Sequence, residues 1–120
     1  MTIEEIYKSI DTVVLRFRKH RKEDDYLSLA TDGITLLEFM PSLIDYSVLQ
    51  EANYRKFEAG LIDELDGEKK RTSSYCETKA KATSFYQEWQ KAKLMCELVY
   101  EMVNMSKVLA RSVDKSLIAS

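Results

Sequence analysis

The segment TKAKATSFYQEWQKAKLMCELVYEMVNMSKVLARSVDKSL, residues 78–117, contains neither glycine nor proline. Counting alternately by four and three from Thr78 meets Ala82, Phe85, Trp89, Ala92, Cys96, Val99, Val103, Ser106, Ala110, Val113 and Leu117, and ten of these twelve positions are apolar. That spacing keeps one face of a helix apolar for more than five heptads, a coiled-coil-like seam. The reading predicts a single helix over residues 68–115, the alternative being a break near Lys93 or Asn104 that folds residues 75–115 back as two helices inside a monomer. Forty residues at about 1.5 Å each would span about 60 Å. A folded chain of 120 residues, with a radius of gyration near 14 Å, cannot cover both ends of such a rod. Self-association is therefore expected, a homodimer being the simplest closed form, with Phe85, Trp89, Ala92, Cys96, Val99, Val103, Ser106 and Ala110 at the oligomer interface.

The two halves of this helix differ. Opposite the seam, Glu77, Lys81, Ser84, Glu88 and Lys91 are polar, with a Glu-to-Lys spacing of four. The second half adds an offset row, Met95, Leu98, Met102, Met105 and Leu109, as expected of a helix contacted from two sides.

Upstream, Thr2 followed three residues later by Glu5 matches a capping box, and Ile3, Ile6, Tyr7, Ile10, Val13, Val14 and Phe17 form an apolar stripe. A first helix is predicted over residues 2–22, ending in a basic turn that suits the negative end of its dipole. Asp24 and Asp25 are capping residues for a second helix over 25–40, whose middle is weakened by Asp32-Gly33. Pro41 predicts a boundary, because it lacks the amide a helix interior needs. A third helix is placed over 43–66 and closed at Asp66-Gly67; Gly60 inside it calls for a close helix contact. The fold class expected is all-α: a single helical domain over 1–120, a four-helix arrangement with a long C-terminal helix, and an oligomeric bundle.

Composition agrees. The chain is 45% hydrophobic and 32% charged with three glycines and one proline, which argues against disorder and loop-rich β-sandwiches. No window approaches about 18 uninterrupted apolar residues, and MTIEEIYKSI is not a signal peptide, so a cytoplasmic protein that makes no use of a membrane is expected. The net charge of −2 hides a segregation. Residues 1–22 carry six basic and three acidic side chains, residues 23–68 two and twelve, and residues 69–120 ten and five. One reading is an acidic central helical pair packed between basic neighbours. The other is a surface for a polyanion made of Arg16, Arg18, Lys19, Arg21 and Lys22 together with Lys69, Lys70 and Arg71. The second of these groups continues through Lys79, Lys81, Lys91 and Lys93 and is interleaved with Tyr75, Phe85, Tyr86 and Trp89, the combination a single-strand nucleic-acid groove uses.

Chemistry-bearing residues are sparse. His20, the only histidine, stands among cations and reads as a solvated helix-end residue. Cys76 and Cys96 are twenty positions apart, too far along one helix for an internal disulfide, with Cys96 in the seam and Cys76 near the surface. Neither GxGxxG nor GxxxxGK[ST] occurs, and no zinc or di-iron ligand spacing is present. No catalytic residue, cofactor or metal is expected, and the protein is expected to act by binding a macromolecular partner rather than as an enzyme.

The texture of ETKAKATSFYQEW, residues 77–89, and LVYEMVNMSKVLA, residues 98–110, resembles small helical accessory proteins of tailed bacteriophages and related mobile elements. The likeness implies a bacterial or phage-infected host cytoplasm and a host or replication component as partner. It carries no functional residue across.

Overall fold

Thr2 begins the first helix as its sequence predicts: the Glu5 amide donates to Thr2 Oγ1 at 3.2 Å, and α1 runs Ile3–Lys22. Glu4 and Glu5 fill its first turn and Lys19, His20, Arg21 and Lys22 its last, matching both poles of the helix dipole. The chain then turns at Asp24, whose φ of 53° is left-handed, a conformation aspartate tolerates better than most residues. Asp25 caps the next helix, its carboxylate accepting from the Ser28 amide at 3.2 Å and the Ser28 hydroxyl at 2.7 Å.

The structure, a computed structural model, describes residues 1–63, 65–66, 69–70 and 72–119, and side chains for 1–63, 72–109 and 111. It is all-α in class, with four helices among the described residues. Their boundaries differ from the predicted ones at two places, each for a local reason. The second and third predicted helices are one, α2, Tyr26–Asp63, with Pro41 inside it. An interior proline costs a helix about 3 kcal/mol. Leu36 and Leu43, on either side, are fully buried in a shared core, and each such leucine contributes about 1.5–3 kcal/mol. Packing therefore outweighs the break.

Conversely, the predicted long C-terminal helix is two. After a two-residue antiparallel pairing of β1, Leu65–Asp66, with β2, Lys69–Lys70, helix α3 occupies Ser73–Lys81 and α4 occupies Ser84–Ala119. Thr83 makes the break. Its hydroxyl donates to the Ala80 carbonyl at 2.6 Å, closing α3, and its oxygen accepts the Tyr86 amide at 3.5 Å, opening α4. A threonine that bonds its own backbone neighbours competes with a continuous helix.

The chain divides into two compact units, Met1–Leu43 with Met95–Ser120, and Ile44–Leu94. In the first, α1 supplies Ile6, Tyr7, Ile10, Val13 and Val14 to a core completed by Leu36 and Leu43 of α2 and Val99 and Val103 of α4. Met95, Leu98 and Met102, from the offset row, pack against it. Gly33 of α2 is a crossing point: a Cβ there would overlap the Ser106 hydroxyl of α4, so the glycine expected to weaken the helix permits its closest approach. In the second unit Tyr54, Cys76, Ala80 and Ala92 are buried.

These positions correct the argument for an interface along the C-terminal helix. Ala92 and Val99 are fully buried, and Val103 and Ser106 nearly so, within a single chain. These four seam residues are sheltered within the chain and need no second copy to cover them. Phe85, Trp89 and Cys96 are half-buried, and the side chain of Ala110 lies outside the described residues. Cys76, expected near the surface, is fully buried. Gly60 has no close helix contact among the described residues, none of which comes within 4 Å of where its Cβ would stand.

Candidate functional site

In the first unit α1 and α2 meet at a buried carboxylate. Arg16 and His20, four residues apart and so on one face of α1, both reach Asp32 of α2. Asp32 Oδ2 is 2.7 Å from His20 Nδ1 and Oδ1 is 3.5 Å from Arg16 Nη2. The Asp32 side chain is 4% exposed, and an ionised carboxylate in that position requires partners. His20 is thus a half-buried partner of Asp32, not the solvated residue expected from its cationic neighbours. Its Nδ1 is committed to the carboxylate. Among the described residues no hydroxyl or thiol hydrogen-bonds the imidazole, so the pair lacks the third member of a nucleophilic relay and works as a helix-to-helix lock. The missed signal was Asp32 itself, an acidic residue at the inner spacing Leu29, Asp32, Leu36, Leu43 of its helix.

The outer face of α2 in this unit is apolar as well. Leu27 is 82%, Ile34 62% and Leu37 44% exposed. With Ala30 and Pro41 they follow the alternate three-and-four spacing of a helix-pairing stripe. Beside the stripe lies a groove of about 160 Å³ lined by Ala30, Gly33, Ile34 and Leu37 of α2 and Val103, Ser106 and Lys107 of α4. Gly33 and Ser106, being small, hold the two helices close enough to form its floor. Val108, 59% exposed, belongs to the same unit. A helix apolar on both inner and outer faces has more apolar surface than its own unit covers, and contiguous exposed patches of this kind mark interaction sites. The same composition gives α2 a window of mean hydropathy 1.2, so by length and composition alone this helix is apolar enough to cross a membrane. No uninterrupted run produces that value, since Asp32 and Glu38 lie within the stretch.

The second unit holds an aromatic cluster. Tyr54 stacks on Trp89 with centroids 5.5 Å apart and planes at 26°, and Tyr86 stands 5.2 Å from Tyr54 and edge-on to Trp89 at 5.9 Å. The Arg55 guanidinium lies 5.2 Å from the Tyr54 ring centroid and 5.5 Å from that of Trp89. Burial, then the hydrogen bond to Glu58, pushes the Tyr54 phenol above its usual range. Tyr46 donates to Glu88 at 2.8 Å. Phe85 lines a separate pocket with Phe57 and Leu61.

The two predicted basic groups fare differently. Arg18, Lys19, Arg21 and Lys22 are exposed on the last turns of α1, while Arg16 is engaged with Asp32. In the second group, Lys69 and Lys70 belong to β2 by backbone, but their side chains, and Arg71 altogether, lie outside the described residues. Nearby, Lys81 is paired with Glu77 at 2.8 Å, an interaction that raises the lysine and lowers the carboxyl, and Lys79 sits 5.7 Å from the Tyr75 ring centroid. Tyr86 and Trp89, expected as stacking platforms for bases, pack against Tyr54 and against each other.

Cys96 is half-buried, and burial, followed by the neighbouring Glu97 charge, pushes its thiol up. Among the described residues no three His, Cys, Asp or Glu side chains converge as metal ligands would.

Comparison of the chain with models of protein families, with curated proteins and with solved structures finds no match.

Proposed function

We propose that this protein is a non-enzymatic helical binding protein that self-associates through the outer face of α2 and in that form engages a macromolecular partner. The carrying observation is the exposure of Leu27, Ile34 and Leu37 at helix-pairing spacing beside a groove of matching apolar character. This moves the self-association surface from the α4 seam, whose Ala92, Val99, Val103 and Ser106 are buried within the chain, to a stripe that is exposed. Two copies related by a twofold axis would each offer a ridge to the other's groove. A bacterial or phage-infected host cytoplasm is the setting proposed, on the sequence resemblance alone.

The test is mass in solution. Sedimentation at micromolar loading is expected to show a dimer, twice the 14.0 kDa chain mass. Ile34→Glu should return the chain to its single mass without loss of helicity, because a charge placed at a solvent-facing position is tolerated in the monomer and opposed in the interface. A wild-type chain that sediments at 14.0 kDa ends the self-association reading.

A second reading rests on the exposed cations Arg18, Lys19, Arg21 and Lys22, which make no ion pair among the described residues. It is a single-strand nucleic-acid interaction at the end of α1. Labelled oligonucleotides should then bind with an affinity that falls steeply with added salt, and Arg18→Gln with Arg21→Gln should reduce that slope.

A further inference from the structure

Helix α2 presents Asn53, Lys56, Phe57, Gly60 and Leu61 on one face within the second unit, at the successive spacings three, four, seven and eight from Asn53. Together with Phe85 of α4 they line a pocket of about 410 Å³. Gly60 widens it. Gly60 sits inside a helix, where glycine costs about 1 kcal/mol against alanine. At Gly33 the small residue is returned by a close helix crossing; at Gly60 no atom of the described residues lies within 4 Å of the missing Cβ, and its place is open pocket. Two phenylalanines and a leucine form the apolar walls. The polar groups are the half-buried Asn53 amide and the Lys56 ammonium, which is exposed and makes no ion pair among the described residues.

Predominantly apolar walls with a few convergent polar groups, at a volume within the range of about 300–1,000 Å³, are the attributes of a small-molecule site. We infer that this pocket binds a small amphipathic organic acid: a flat, one- or two-ring apolar body between Phe57 and Phe85, with a single anionic head on Lys56 and Asn53. Aromatic walls favour a planar body, which they can meet face or edge. The ammonium selects the sign of the head group, and the amide supplies a second donor to it. A neutral body of the same shape would fill the walls and leave the lysine unused. This inference does not depend on the outer face of α2 in the first unit.

The chain carries its own reporter. Trp89, the only tryptophan, is one helical turn beyond Phe85 on α4. Anilinonaphthalene sulfonate, an aromatic anion, and phenylnaphthylamine, its uncharged counterpart, are titrated into the full-length protein, reading dye emission and transfer from Trp89. Saturable binding of one sulfonate per chain is expected. Lys56→Gln should weaken the sulfonate about tenfold and leave the neutral dye unchanged. Gly60→Leu, which fills the pocket and favours the helix, should abolish both while helicity by circular dichroism is retained. Ile34→Glu should change neither. The inference is overturned if Lys56→Gln leaves the sulfonate unaffected or weakens both dyes alike. Retention of wild-type binding in Gly60→Leu, or loss of binding in Ile34→Glu, overturns it equally.

Discussion

His20 Nδ1 of α1 stands 2.7 Å from Asp32 Oδ2 of α2, and the carboxylate it holds is almost wholly withdrawn from water. Breaking a buried pair by removing one partner is far more damaging than replacing both with apolar groups of similar size. His20→Ala leaves Asp32 with only the longer, half-exposed contact to Arg16, and is expected to destabilise the chain by about 2–3 kcal/mol. His20→Leu combined with Asp32→Leu should cost less than either single change. Urea denaturation of the three variants checks this, and additive losses would show that the residues are not coupled.

Two glycines in one helix should respond with opposite sign. Gly33→Ala forces a methyl into Ser106 and should cost about 1–3 kcal/mol. Ser106→Ala removes the hydroxyl that the methyl meets first, so the same change should be milder in that background. Gly60→Ala meets nothing and should add about 1 kcal/mol from helix propensity. Thermal or chemical unfolding distinguishes the signs directly.

Pro41→Ala tests the continuity of α2. In an uninterrupted helix the substitution restores an amide that can bond the Leu37 carbonyl and removes the ring's clash with the same turn, so stability should rise by about 1 kcal/mol or more. Had the chain formed two helices with Pro41 at a start, alanine would bring no such gain. Unfolding midpoints, with helicity as the control, decide between them.

Stability should fall at both ends of the pH scale for identifiable reasons. Asp25, held below its ordinary 3.8 by the Ser28 bonds, and Glu77, held below its ordinary 4.5 by Lys81, bind protons more weakly when folded than when unfolded. Their contribution is complete above those ordinary values and is lost as pH drops through the lowered ones. Cys96 and Tyr54, both raised by burial, retain protons longer when folded. Their contribution is complete below 9.0 and 10.0 respectively and declines as pH climbs past those values. Unfolding midpoints across the pH range should therefore show a plateau between the two declines. Tyrosinate absorbance should show one phenol titrating later in the folded chain than in urea.

At neutral pH Cys96 should alkylate slowly, its thiolate being disfavoured, and Cys76 slowly because it is wholly buried. Both should react at once in denaturant. Mass spectrometry after brief exposure to iodoacetamide gives the comparison, and a fast native reaction at either position would contradict the burial described.

Residues alone settle whatever depends on a few chain neighbours. The all-α class comes from scarce glycine and proline and from three-and-four spacing; the start of α1 comes from Thr2 and its apolar stripe from Ile6, Ile10, Val13 and Phe17. The Glu77–Lys81 pair is equally local. Thr83 is locally legible as a stop and start, since threonine caps helices through its hydroxyl, but three-and-four periodicity does not register it.

Pro41, Gly33, Gly60 and Asp32 could not be settled locally, because each one's effect depends on what another helix places opposite it. Leu36 and Leu43 pack on α1 and carry α2 through its proline; Ser106 turns Gly33 from a weakness into a contact, while nothing turns Gly60 into one. The buried Asp32 carboxyl group finds its partners only because Arg16 and His20 arrive from α1. Periodicity shows that a helix has an apolar face. Which apolar positions are covered is a property of three helices packed together: Val99 and Val103 of α4 are buried in the core shared with α1 and α2, while Leu27, Ile34 and Leu37 of α2 are exposed.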